Sequence, residues 1–507
     1  MEKAYITTPI YYPSGNPHLG SAYTTIAADV YARAMRLAGI ETKFTTGTDE
    51  HGQKLLRSAE KEGLPPQEYV DKMSARFHQL SEIVNLSDHD FIRTTEPRHE
   101  QAATTMWQQI EEGGYFYKDT YAGWYSVPDE TYYTEDELVD GKSPDSGHPV
   151  EWLEEESYYF KLSAFADKLL AHYKENPEFI QPESRRNEVI SFVEGGLRDL
   201  SVSRSSFDWG VPVPGDGKHI MYVWIDALTN YLSSLGWPES DDWQGYFENA
   251  THIIGKDILR FHAVYWPAML MAAGQPLPKK IFAHGFLVVD GQKMSKSKGN
   301  VVDPEEMIGK YGRDRFRYFL MREITFGQDG SFSEEALVRR TNSELANDLG
   351  NLFQRVLSMV FKNCAGRVPE LGELRPEDRK FLAQFDSNMI AAYTKDIDEL
   401  NYQSALNRIW EVIRAANRYM DQQQPWVLKK ENPEQMAHVL RVMMEGLCPI
   451  SLLIEPFVPE AAAKMQEQLG FTGKTFKDLD ADVKLNYGAE IHKPEGVFMR
   501  LNEPEAA

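Results

Sequence analysis

Residues 3–31 read KAYITTPIYYPSGNPHLGSAYTTIAADVY. Over 3–12 the chain alternates and is rich in Tyr, Ile and Thr, which predicts a strand. Pro13-Ser14-Gly15-Asn16-Pro17 predicts a turn. Beyond it, Leu19, Ala22, Tyr23, Ile26, Ala27, Val30 and Tyr31 recur at three- and four-residue spacing, an amphipathic helix that closes at Gly39. Residues 41–46 predict a second strand, running into Gly47-Thr48-Asp49-Glu50-His51-Gly52, and 53–62 a second helix. Strand–helix–strand–helix implies an α/β fold with a doubly wound, Rossmann-type parallel sheet.

Working outward, residues 113–210 break the alternation with aromatics, turn residues and acidic runs such as Glu154-Glu155-Glu156. They are expected to form a domain inserted between a first half, 1–112, and a second half, 211–275. The α/β pattern resumes with strands expected at His219–Trp224 and Thr251–Ile254 and a helix from Asp257. A linking region, 276–344, leads to an all-α domain over 345–507.

The 507 residues suffice for three or four units at roughly 150 residues each. Apolar content of 42% and charged content of 26% are those of a globular protein. The net charge of −23 argues against holding nucleic acid by bulk attraction, so any RNA must be met by local basic groups and specific contacts. The two cysteines, Cys364 and Cys448, exclude a disulfide framework and a Cys-rich zinc site, and fit a reducing compartment. The N-terminus lacks a signal or transit pattern. Apolar runs break before 18 residues, so no membrane span is expected. The localisation expected is cytoplasmic.

Two short motifs carry chemistry. Pro17-His18-Leu19-Gly20-Ser21 stands at the start of the first helix, where free N–H groups and the positive dipole end suit phosphate. A His there can bond a phosphoryl oxygen as charge builds, although a His at a helix start is structural more often than not. Lys293-Met294-Ser295-Lys296-Ser297, on a Gly-flanked loop, offers two ammonium groups that can grip a triphosphate and close at the transition state. A short Lys/Ser run is otherwise a solvated loop.

The pair resembles the signature of class I aminoacyl-tRNA synthetases: His18 to Ser21 is similar to their HIGH motif, and Lys293 to Ser297 is identical to KMSKS. Ser21 departs from the usual His, which implies slowed rather than abolished activation. Tyr5 to Tyr12, Thr46 to Gly52, Tyr222 to Ala227 and Gly255 to Ile258 narrow the resemblance to the methionyl family over essentially the whole chain. The resemblance implies a methionine–tRNA ligase using ATP with Mg2+ and acting on initiator and elongator tRNA(Met). His18, Ser21, Lys293 and Lys296 are then catalytic. Gly20, Asp257 and Leu287 join them around ATP.

By the same resemblance, Ile10, Tyr12, Trp224, Ala227, Leu228, Tyr231, Ile258 and His262 surround the methionine side chain, whose sulfur packs well on aromatic faces. Asp49 takes its ammonium group. Read alone, Trp224 fits core packing better than a binding role, and His262 more so. Asn347, Asn351 and Arg355 form one polar helical stripe opposite Leu349, Leu352, Phe353 and Val356. With Pro425 and Trp426 as a stacking platform, the stripe resembles the family's anticodon readers. On any unrelated helix such a stripe is a solvated face.

Many relatives carry a zinc knuckle in the insertion. Here Ser126…Asp129 and Ser143…Ser146 keep the spacing without the soft ligands, so no zinc is expected and the segment is expected to fold on its Tyr and Trp content. The chain ends near the helical bundle, and a monomer is expected. Cysteinyl enzymes need Cys ligands that are missing, and isoleucyl, leucyl and valyl enzymes carry a larger insertion. A tRNA-independent nucleotidylyltransferase would lack the helical C-terminal domain. A non-catalytic paralogue has only Ser21 in its favour.

Overall fold

The computed structural model describes residues 3–129, 131–289, 292–293, 301–480 and 483–502. Strand β1, Lys3–Thr7, is followed by helix α1, Leu19–Leu37, strand β2, Glu41–Thr48, and helix α2, Gln53–Glu62. The predicted first strand extends to residue 12. It ends at Thr7 because Pro9 has no N–H to give a central strand; only Tyr11 pairs again, as an isolated bridge to Thr48.

The central sheet has six strands in the order Asp90–Arg93, β2, β1, Ala250–Gly255, Lys280–His284, Ile180–Gln181, and every pairing is parallel. The order reverses between β1 and Ala250–Gly255. Chains leaving these two strands diverge, and a crevice opens at their C-terminal ends. Gly47 makes the β2 pairing possible: a Cβ there would stand 1.9 Å from the Ile92 carbonyl oxygen.

Three expected elements are corrected. The strand Asp216–Met221 stops before Val223, and Val223–Leu228 is helical. A six-residue apolar run does not distinguish the two by periodicity. The helix expected from Asp257 begins as a 3-10 turn over Lys256–Ile258 and passes through a π turn, Phe261–Tyr265, before Trp266–Ala272. Residues 113–210 are not one inserted unit, since Ile180–Gln181 supplies the sixth strand of the main sheet. The separate antiparallel sheet consists of Thr131–Tyr133, Phe116–Ser126, Glu151–Phe160 and Leu200–Ser201.

The helical part follows without a break at 345. Glu334–Arg340, the π-helical Thr341–Gly350 and Asn351–Asn363 form one continuous run. Its helices share a hydrophobic core with α1, where Tyr31 and Tyr402 are fully buried. One helix, Pro433–Ile454, is long and apolar enough to cross a membrane despite Pro449, and its apolar window is 89% buried in the bundle.

Candidate functional site

A cleft of about 860 Å³ opens at the crevice and takes walls from the chain after β1, β2, Ala250–Gly255 and Lys280–His284. The β1 loop is stitched to β2 by Tyr11 N–H to Gly47 O at 2.8 Å and Asp49 N–H to Tyr11 O at 3.0 Å. Ile10 and Tyr12 therefore flank Asp49, and all three line the cleft.

At one end stands α1. His18 is its N-cap, with an extended backbone, and its Nδ1 accepts from Gly20 N–H at 3.0 Å. A nitrogen that accepts carries no proton, so the neutral ring has its hydrogen on Nε2. Gly20 is needed for this geometry. A Cβ on it would lie 2.9 Å from Cε1 and 3.1 Å from Nδ1 of His18. The free N–H groups expected here are partly used. Leu19 N–H bonds the Val302 carbonyl at 3.2 Å, Gly20 N–H bonds His18, and Ala22 N–H bonds the His18 carbonyl. Leu19 and Gly20, the first two amides of the helix, are thus already bonded. Ser21 is buried at the cleft wall, and its carbonyl accepts from Tyr11 OH at 3.1 Å.

At the other end lies an aromatic pocket. Trp224, half-buried, stacks on Phe261 with centroids 3.8 Å apart and planes 13° apart. Ala227, Leu228 and Tyr231 follow on the next turns, all buried. Tyr231 OH contacts His262 Nε2 at 2.7 Å, and His262 Nδ1 contacts the Ile258 carbonyl at 3.0 Å. A carbonyl can only accept, so Nδ1 carries the proton and Tyr231 donates to Nε2. Burial pushes the imidazole down to about 4 against the small opposing effect of the Ile258 carbonyl. His262 is therefore a neutral, polarisable wall. Behind it, His51 and His99 hold the buried Asp226 at 2.6 and 2.7 Å. Burial pushes the Asp226 carboxyl up, and the two histidines outweigh it, holding the group at about 2.

Asp257 and Leu287 line the cleft between the two ends. Lys293 lies in the strand Gln292–Lys293, whose backbone pairs antiparallel with Leu287–Val289. Met294, Ser295, Lys296 and Ser297 fall outside the described residues. Sequence reasoning missed several wall residues. Thr24, one turn after Gly20, meets His284 Nε2 at 2.7 Å, and a helical wheel drawn on from Gly20 would have found it. His284, in the wall, and Phe261, stacked on Trp224 behind it, carried no signal of their own.

The second cluster is remote in sequence. Asn347, Asn351 and Arg355 are exposed while Leu349, Leu352, Phe353 and Val356 are buried, as the stripe required. Asn351 Nδ2 donates to Asn347 Oδ1 at 3.3 Å. Trp426, 43% exposed, comes alongside, with its ring centre 5.8 Å from the Arg355 guanidinium carbon. Pro425 is buried beneath it at the start of the helix Pro425–Glu431. Among the described residues no three His, Cys, Asp or Glu side chains converge to hold a metal.

Comparison with known proteins gives one consistent answer. Residues 4–151 and 136–357 match the model for "tRNA synthetases class I (M)", and 368–507 match the "Anticodon binding domain of methionyl tRNA ligase". The chain is 52% identical to a methionine–tRNA ligase of Brucella suis, with 99% of each chain covered, and 47% identical to one of Bacillus subtilis, covering 99% of this chain and 78% of the relative. A solved Mycobacterium tuberculosis methionyl-tRNA synthetase in complex with methionyl-adenylate superposes with a TM-score of 0.94 at 48% identity, covering 99% of this chain and all of that one.

Proposed function

This chain belongs to the methionine–tRNA ligases of class I, and from that we infer that it activates methionine with ATP and charges tRNA with it. The methionine carboxylate attacks the α-phosphorus of MgATP, pyrophosphate leaves, and methionyl-adenylate forms. The 3′-terminal adenosine of tRNA(Met) then takes the methionyl group through its 2′-hydroxyl, and AMP leaves. No covalent enzyme intermediate is required; positioning and charge stabilisation suffice.

In the roles we propose, the His18 Nε2–H donates to a phosphoryl oxygen, and Ser21 adds a hydroxyl donor. Lys293 and Lys296 neutralise the triphosphate, while Gly20, Asp257 and Leu287 hold the adenosine. Asp49 takes the methionine ammonium. Ile10, Tyr12, Trp224, Ala227, Leu228, Tyr231, Ile258 and His262 enclose its thioether. Asn347, Asn351 and Arg355, with Pro425 and Trp426, meet the splayed anticodon bases. We further propose that one monomeric, cytoplasmic enzyme serves both initiator and elongator tRNA. The region 276–344 would carry the closing loop, and the helical region from 345 the anticodon contacts.

The observation that carries the reading is the joint lining of one cleft by the His18 end of α1 and the Trp224–Tyr231–His262 wall. The test is exchange of labelled pyrophosphate into ATP with each amino acid in turn. Exchange driven by methionine alone is expected. No exchange with any amino acid, in folded protein, would favour a tRNA- or methionine-binding paralogue and point to Ser21.

A further inference from the structure

The knuckle positions Ser126, Asp129, Ser143 and Ser146 do not fit a structural zinc site, since one carboxylate and three hydroxyls lack the soft thiolate or imidazole donors such a site uses. The four side chains converge all the same. Asp129 Oδ2 accepts from Ser126 Oγ at 2.5 Å, Ser143 Oγ at 2.6 Å and Ser146 Oγ at 2.6 Å. A single carboxylate oxygen thus stands amid three donors, where thiolates would surround zinc at about 2.3 Å. The ring is braced from outside. Asp145 N–H and Ser146 N–H donate to Ser143 Oγ at 3.2 Å each, and Tyr133 OH donates to Asp145 at 2.8 Å. Hydrogen bonds to an ionised acceptor are roughly twice as strong as neutral ones. The segment is therefore tied by an ionic centre as well as by the aromatic content on which it was expected to fold.

The same residue reaches the site. Asp129 and Pro128 line the cleft. The Pro128 carbonyl accepts from Lys54 Nζ at 3.5 Å, and Lys54 Nζ lies 5.1 Å from the centre of the Tyr12 ring. We propose that Asp129 is a positioning residue: it closes the knuckle in place of a metal and holds the turn from Ser126 to Asp129 as a roof over Lys54 and Tyr12 at the methionine end of the cleft. The proposal rests on the methionyl reading of that cleft.

The test compares Asp129→Ala, Asp129→Asn and a variant with Ser126→Cys, Asp129→Cys, Ser143→Cys and Ser146→Cys together. In pyrophosphate exchange, Asp129→Ala is expected to raise the KM for methionine about fivefold with little change in kcat, the pattern of lost uniform binding. Asp129→Asn, which keeps the shape and one acceptor oxygen, should fall between, and it carries the comparison if Asp129→Ala fails to fold. The four-cysteine variant is expected to take up one zinc per chain, read by metal analysis after gel filtration, and to return KM towards the parent value until a chelator is added. An unchanged KM in the aspartate variants would overturn the proposal. So would failure to take up zinc, because the four positions would then not converge. Zinc uptake without recovery of KM would also overturn it, by making the carboxylate itself a substrate contact. Zinc stoichiometry is independent of turnover, so a parent protein without methionine-dependent exchange would count against the functional reading alone.

Discussion

Tyr231 donates its phenolic proton to Nε2 of His262, because the other ring nitrogen is committed to the Ile258 carbonyl. Both side chains are almost fully buried. Tyr231→Phe leaves the Nε2 lone pair without a donor, a cost of about 1–3 kcal/mol. We expect a raised KM for methionine and a lower melting temperature. The same pair sets a pH dependence. Burial holds His262 at about 4, and holds His252, stacked on the Tyr231 ring, well below its ordinary value. Both are neutral when folded, whereas in the unfolded chain they protonate near 6.5. Protons therefore favour the unfolded state between about 6.5 and the folded values, so stability is complete above that window and falls as pH drops through it. Urea midpoints at about pH 7 and about pH 5 measure the effect, and His262→Gln should shrink the difference.

How much of this was legible beforehand follows from which signals are local. The β1–α1–β2–α2 order could be read because helix and strand periods differ and Gly39 and Pro13 to Pro17 punctuate them. The exposed stripe of Asn347, Asn351 and Arg355 could be read because side-chain period is a local property. Trp224 sat on a misassigned element because a short apolar run has no distinguishing period. Ile180–Gln181 joins the sheet through pairing with a strand about a hundred residues later, which no local pattern encodes. Nor could the convergence of Ser126, Ser143 and Ser146 on Asp129 be read from spacing, which spoke only against zinc.

Gly20 should be intolerant of even one methyl group. A Cβ would press on the His18 ring, break its Nδ1 bond to the Gly20 amide and turn Nε2 away from the cleft. Gly20→Ala is expected to lower kcat for pyrophosphate exchange by about a hundredfold, the scale of losing one transition-state donor, while methionine affinity measured by calorimetry stays near that of the parent.

Arg317 joins the catalytic fold to the helical bundle. Its buried guanidinium donates to Asp29 of α1 at 2.6 Å, to the Val84 carbonyl at 2.9 Å and to the Pro456 carbonyl at 2.8 Å. Arg317→Met leaves Asp29 with Arg33 Nε at 2.8 Å and the Ser87 N–H at 2.7 Å but removes its buried partner, and about 1.5–3 kcal/mol of stability should be lost. Because Arg317 and Asp29 share one ion pair, the losses of Arg317→Met and Asp29→Asn, read from denaturant midpoints, should add to more than the loss of the double variant.

Trp426 should matter only when tRNA is present. Its exposed ring beside Arg355 offers a stacking face, worth about 1–3 kcal/mol per base. Trp426→Ala is expected to raise the KM for tRNA(Met) in charging by about tenfold or more, with tRNA-free exchange unaffected. Equal losses in both assays would place the defect in the fold instead.

Ser21 stands in the first turn of α1, and its effect follows from what that end presents. The Leu19 and Gly20 amides are already bonded, so phosphate charge there leans more on side-chain donors. A serine hydroxyl donates one short bond and carries no charge, whereas an imidazole reaches further and can become cationic. Ser21→His is therefore expected to raise kcat for methionine-dependent exchange by about tenfold with little change in methionine KM, because the gain arises only as charge builds on the phosphate. Single-turnover adenylate formation, followed by rapid quench, separates that step from product release. A Ser21→His protein with an unchanged or slower chemical step would mean that the phosphate is held without this position.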